Sequence, residues 1–111
     1  MRLKERADAL SANTHRLAVM MSAADRGWSP ETAAIVAMAL HPLDDSPVPS
    51  RRFEKTVRKL SRKNARSFRQ ASDSEAAASA TSIVMQYRDL ALEMNEPHYM
   101  TRFDKPLGLT D

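Results

Sequence analysis

Nine basic side chains fall within "RRFEKTVRKLSRKNARSFR", residues 51–69: Arg51, Arg52, Lys55, Arg58, Lys59, Arg62, Lys63, Arg66 and Arg69, against a single acid, Glu54. The stretch carries +8 in a chain whose formal net charge is only +3, which leaves −5 on the remainder. The chemistry open to these residues is anion recognition. Arginine presents a planar fork of donors that fits phosphate and carboxylate, and lysine a mobile point charge. On a helical wheel, at about 100° per residue, Phe53, Val57, Leu60, Asn64 and Phe68 form one stripe. Arg52, Lys55, Lys59, Arg62, Arg66 and Arg69 form the opposite stripe, with Arg51, Arg58 and Lys63 on its flanks. One face is oily and suits the protein's own core; the other is basic and suits a partner. Asn64, inside the oily stripe, marks either a buried hydrogen bond that fixes register or a turn that is exposed.

A basic face of this density is the electrostatic footprint of a nucleic-acid binder. Like charges at i,i+4, such as Lys55/Lys59 and Arg58/Arg62, each destabilise a helix by about 0.2–0.5 kcal/mol, and a polyanion relieves that repulsion. The expected partner is therefore nucleic acid, DNA ahead of RNA. The alternative is an acidic protein surface, as an anti-activator or a phage-type inhibitor would use. A third outcome is a merely solvated face, with Asp44, Asp45, Asp73, Glu75, Asp89 and Glu93 neutralising part of it. A standard helix-turn-helix does not fit. The connection before the basic helix, about residues 41–50, is too long, and the tighter turn at Gly27 leads into "PETAAIVAMAL", which has no basic side chain. RNA platforms with aromatic strands or a GXXG loop are absent as well. Without base-reading residues, phosphate contacts carry no sequence information.

Other chemistry has little to stand on. His15, His41 and His98 lie on different elements, and "HPLDD" lacks the ligands for a metal, so Asp44 and Asp45 read as loop solvation or turn formers. There is no phosphate loop, no G-x-S-x-G and no H-E-x-x-H. No cofactor, no metal and no enzymatic activity are expected. The absence of cysteine rules out a disulfide framework or a thiolate site. "MRLKERADAL" lacks the apolar run of a secretion signal and no stretch is long enough to span a membrane. A cytoplasmic protein without membrane attachment is expected, and twelve arginines against five lysines suit a GC-rich bacterial or phage genome.

The elements that must carry the basic helix can be read from period and caps. The chain has 111 residues, room for one domain. With 5% aromatic residues, the core is expected from Ala, Leu, Met, Val and Ile. From Leu3 to about Asp25, the residues Leu3, Ala7, Leu10, Thr14, Leu17, Met21 and Ala24 are spaced 4, 3, 4, 3, 4, 3, the inward stripe of a first helix. Glu5, Asp8, Ala12, Arg16 and Ala23 then fall on its far side. Gly27 ends it; Ser29 and Pro30 open a short second helix to Leu40 that is apolar nearly all round and wants burial on several sides. Trp28 is placed to staple that helix's start. His41-Pro42 closes it, and Ser50 caps the basic helix, which runs to about Ala71. Ser72 and Glu75 form a capping box for a last helix, residues 73–95, with Ala76, Ala80, Ile83, Tyr87, Leu90 and Met94 inward, broadened by Ala77, Val84 and Ala91.

The fold expected is all-α: four helices over residues 1–95, one of them short and central, then an extended C-terminal tail over 96–111. Part of that tail packs on the helices or on a partner. The heptad stripes of the first and last helices suit a helix-mediated homodimer and a monomeric bundle equally. Of seven methionines, most read as core filling, and Met20 and Met100 as the two that touch a partner.

Overall fold

The computed structural model describes residues 3–109, with side chains from residue 12 onward. Its helices are α1 (Leu3–Ser22), α2 (Pro30–Leu40), α3 (Arg51–Asn64), α4 (Asp73–Glu93) and α5 (Pro97–Asp104). Short 3-10 turns occupy Ala24–Arg26 and Ala65–Phe68, and the described residues form no strand.

The helix starts follow their caps. The Ser29 hydroxyl accepts the Thr32 N–H at 3.2 Å, with Pro30 at the first helical position. Ser50 accepts from Phe53 N–H at 3.3 Å. At α4 the box is reciprocal: Glu75 N–H donates to the Ser72 hydroxyl, and Ser72 N–H donates to the Glu75 carboxylate at 3.0 Å. These bonds satisfy amides that have no partner in the first turn of a helix. Gly27 adopts φ 74°, the left-handed region that glycine enters without a Cβ penalty, and so turns the chain from α1 into α2.

Central α2 packs between α1 and α4, and α4 in turn holds α3 and α5. Thr32, Ala33, Ile35, Val36, Ala37, Met38 and Ala39 are all buried, as an all-round apolar helix requires. On α4, Ala76, Ala80, Ile83, Val84, Tyr87 and Ala91 are buried, so its stripe faces inward as read from the sequence.

Three expectations are corrected. The tail does not run extended: residues 97–104 are helical, with Pro97 at the first turn and Tyr99 and Phe103 buried. Arg88 and Asp104 form an ion pair that fastens α5 to α4. Secondly, the core is not left to aliphatic side chains. All six aromatic residues are buried, and Phe53, Tyr87, Tyr99 and Phe103 are in ring contact at centroid separations of 5.4 to 6.0 Å. Alanines on α2 and α4 let these helices approach closely, and a few rings, with their large area, fill what remains. Leu17, Leu92 and Leu109 are exposed.

Thirdly, α1 is turned the other way. Arg16 and Ala23 are buried, with Ala12 and Val19 half-buried, while Leu17 and Met21 are 55% and 72% exposed. Thr14 and Ala24 are exposed too; Leu3, Ala7 and Leu10 lie outside the residues whose side chains are described. The reason is Arg16. Its guanidinium donates to the carbonyls of His41 and Leu43, each at 2.8 Å, and sits 2.8 Å from Asp44. Several charge-assisted bonds to the 41–44 loop outweigh the burial of two flexible apolar side chains.

Candidate nucleic-acid interface

Helix α3 is strongly amphipathic, and its oily stripe faces the core: Phe53, Val57 and Phe68 are buried and Leu60 packs against them. Its start is pinned from α5, where the Glu96 carboxylate accepts the Ser50 N–H at 2.9 Å. All nine basic residues of 51–69 are exposed. They do not form one uninterrupted helical row.

Arg51, Lys55, Arg58 and Arg62, together with Glu54, line a shallow concavity of about 450 Å³ on the outer side of α3. Arg52, Lys59 and Lys63 lie round the helix from this group. Lys59 and Lys63 rim a groove of about 480 Å³ between α3 and α4, floored by Leu60 and Leu90 and closed on the far rim by Asp89 and Glu93. Arg66 and Arg69 lie beyond the end of α3, beside the start of α4, near Gln70 and Glu75. The helix that was expected to reach Ala71 ends at Asn64, whose side-chain amide donates to the carbonyl of Leu60 at 2.8 Å. Its role is thus local: it competes with the backbone at the last turn.

The turn that displaces Arg66 and Arg69 is held from the turn between α1 and α2. Arg26 donates to the carbonyl of Phe68, the Trp28 indole N–H donates to the carbonyl of Ala71 at 3.0 Å, and Ser29 N–H donates to Asp73 at 2.6 Å. The Arg26 guanidinium also stacks over the Trp28 ring at 3.9 Å. Trp28 therefore ties the α1–α2 turn to the α3–α4 turn rather than acting only as a staple on α2.

Three of the acids that could neutralise the basic face, Asp44, Asp73 and Glu75, are occupied elsewhere. Asp44 is bound by Arg16, Arg102 and His98 at 2.8, 2.8 and 3.0 Å. Asp73 accepts from Ser29 and Glu75 caps its own helix. Among the described residues, the nine bases make a single ion pair, Arg58 with Glu54 at 3.1 Å, exposed and within one turn. Asp89 and Glu93 share a groove with Lys59 and Lys63 without pairing to them.

Asp44 is where the sequence reading of the loop is overturned. Rather than solvating a turn, it joins α1, α5 and the loop. Burial pushes its carboxyl up, but the hydrogen bonds from His98 and Arg16 and the charges of Arg102 and Arg16 hold it below its ordinary value. Tyr99 completes the junction: its hydroxyl accepts the Asp44 N–H at 3.1 Å and lies at the same distance from the Asp44 and Pro47 carbonyls. Burial is the first reason that its pKa is pushed up to about 12. His41 stacks on His15 at 5.1 Å. Burial, then His15, then Arg16, lower its pKa.

One sequence signal could have exposed this cluster. Arg16 is the lone formal charge between Ala9 and Ala24, with small residues at 12 and 23 on its own side. Among the described residues, no group of three or more His, Asp or Glu is placed to hold a metal ion, and no helix is long and apolar enough to cross a membrane. Of the two methionines expected at a surface, Met20 is exposed and Met100 packs against the core. No family model, curated protein or solved structure matches the chain.

Proposed function

We propose that this chain is a small non-catalytic regulatory or accessory protein that binds nucleic acid through the basic face centred on α3. Arg51, Lys55, Arg58 and Arg62 make the central contacts, Arg52, Lys59 and Lys63 flank them, and Arg66 and Arg69 reach from the adjoining turn. The observation that carries the reading is the absence of internal neutralisation. Eight of the nine bases make no ion pair among the described residues: Asp44, Asp73 and Glu75 are bound elsewhere, and Asp89 and Glu93 line a groove with Lys59 and Lys63 without pairing to them. Unrelieved like charge along one helix costs stability, and a polyanion supplies the missing counter-charge. B-form DNA is preferred over RNA because its major groove admits an α-helix, whereas that of A-form RNA is too narrow.

The rival reading, an acidic protein surface, draws on the same charge. Burial of Phe103 in α5 favours neither. The discriminating experiment is fluorescence anisotropy with labelled duplex DNA, single-stranded DNA and duplex RNA at about 50 and 200 mM salt, where about 6–10 phosphate contacts weaken binding by roughly 10³–10⁵. Duplex DNA should bind tightest. If nothing binds more tightly than about 100 μM, the weak end of ordinary non-specific affinity, the nucleic-acid reading is lost and the acidic protein partner takes its place.

A further inference from the structure

We infer that Glu54 and Arg58 act together as a base-reading pair on the outer side of α3, one that selects C·G base pairs in duplex DNA. The inference rests on the proposed binding of nucleic acid and adds to it the residues that make that binding depend on sequence.

Among the nine bases of 51–69, Arg58 alone has an acidic partner in the described residues. Its Nε donates to Glu54 Oε1 at 3.1 Å, one helical turn away, and the two side chains remain 55% and 35% exposed. Neither has a second side-chain partner among the described residues. Arg58 therefore keeps both Nη groups for a ligand, and Glu54 keeps Oε2. The bond through Nε limits how the guanidinium turns, so its fork leaves α3 in a set direction. A mobile charge is enough for a phosphate; a base edge is told from its rivals only by donors and acceptors in fixed positions.

What the pair presents is two donors beside one acceptor. The major-groove edge of a C·G pair is the complement: N7 and O6 of guanine accept, and the adjoining N4 of cytosine donates. On the edge of an A·T pair the order is acceptor, donor, acceptor and then a methyl group. There one Arg58 donor would face the adenine amine and the Glu54 carboxylate would face an oxygen. The two base pairs are thus separated by mismatched hydrogen bonds as well as by missing ones.

The surroundings of the pair fit this role. Arg51, Lys55 and Arg62 line the same shallow concavity as Glu54 and Arg58. At about 1.5 Å per residue, Arg51 lies about 4.5 Å before Glu54 along the axis and Arg62 about 6 Å beyond Arg58. Phosphates on both sides of the contacted base pair then have a cation to meet. On a surface that met phosphates alone, an acid in the middle of this concavity would oppose binding. Against a base edge it has a donor to receive.

Fluorescence anisotropy of the full chain with G·C-rich and A·T-rich duplexes of equal length, at one salt concentration, tests the inference. The native chain should bind the G·C-rich duplex about tenfold or more tightly. With 7-deazaguanine in place of guanine that duplex loses the N7 acceptor and should bind more weakly. Glu54→Ala removes a negative charge, so it should tighten binding to the A·T-rich duplex while the preference falls to within about twofold. A role confined to charge, or to supporting the helix, would shift both affinities together and leave their ratio unchanged. Arg58→Lys keeps the charge and loses the fork, so it should lose the preference too, and it gives the answer should Glu54→Ala fail to fold. A native chain that binds both duplexes alike overturns the inference and leaves the nucleic-acid reading standing. A preference that survives 7-deazaguanine or either variant overturns it as well. If neither duplex binds, the nucleic-acid reading falls and the base-reading pair falls with it.

Discussion

Arg16 and Asp44 are joined by an ion pair of 2.8 Å, with side-chain exposures of only 10% and 15%. With the Arg16 hydrogen bonds to the carbonyls of His41 and Leu43, this contact holds α1 against the 41–50 loop, and Arg102 and His98 bring α5 to the same carboxylate. Removing the carboxylate strands two guanidinium groups, one of them buried. Asp44→Ala should lower the unfolding free energy by about 3 kcal/mol, read from urea denaturation. Arg16→Met should cost at least as much, since it removes the same ion pair and also leaves the carbonyls of His41 and Leu43 without their donor. A change within about 0.5 kcal/mol for Asp44→Ala would mean that the junction adds nothing net.

Stability should fall with acidity in two steps. His41 is lowered from its ordinary 6.5 by burial and by His15 and Arg16. Unfolded chains therefore take up a proton below about pH 6.5 that folded chains resist, and stability declines from there downward. Asp44 is held below 3.8, so its contribution is full above that pH and is lost as pH drops through the lower folded value. Thermal midpoints across the acid range check both signs. His41→Gln should flatten the upper step, and Asp44→Asn the lower one.

The Tyr87 hydroxyl donates to the carbonyl of Ala39 at 2.7 Å, and its burial drives the phenol pKa up. Ala39 is in the last turn of α2, where carbonyls have no partner in their own helix. Tyr87→Phe keeps the ring and leaves that acceptor unsatisfied, a loss of about 1–3 kcal/mol with α4 and α2 still packed. An unchanged urea midpoint would show that the carbonyl finds another donor.

Ser50 links the basic face to the rest of the fold, capping α3 while its own N–H is held by Glu96. Ser50→Ala should cost about 1 kcal/mol and increase amide exchange at the first turn of α3. Exchange that rises equally over all helices would point to a global effect instead.

For nucleic-acid binding, Lys55→Ala or Arg62→Ala should each reduce the slope of log affinity against log salt by about 0.9, the value for one duplex phosphate contact. Arg66 and Arg69 lie off the helix, on the turn, and their replacement should change the slope less than that of Arg51, Lys55, Arg58 or Arg62. Equal effects at all positions would mean that charge alone, and not the surface of α3, governs binding.

Much of the fold was legible locally. Ser29-Pro30, Ser50 and the Ser72/Glu75 box mark helix starts because a cap acts within three residues. The burial of α2 and the inward stripe of α4 follow from period. The fifth helix was hidden because prolines and a short length mask the helical period over 96–111, and its stability comes from Tyr99 and Phe103 meeting rings on other elements. The candidate site was half legible: its charge and its nine residues stand in the sequence, but their division among helix, groove and turn does not.

The sequence by itself determined where α2, α3 and α4 begin, which side of α3 is oily, and that its basic charge is concentrated there. Only the tertiary structure decided which of two stripes on α1 turns inward, where α3 stops, and which acids remain for the basic face. Those choices hang on Arg16 with Asp44, on Arg26 and Trp28 with the turn after α3, and on Asp73 with Ser29. Each joins groups far apart in the chain, where helical period and local propensity carry no information, and each is fixed only when packing brings donor and acceptor together.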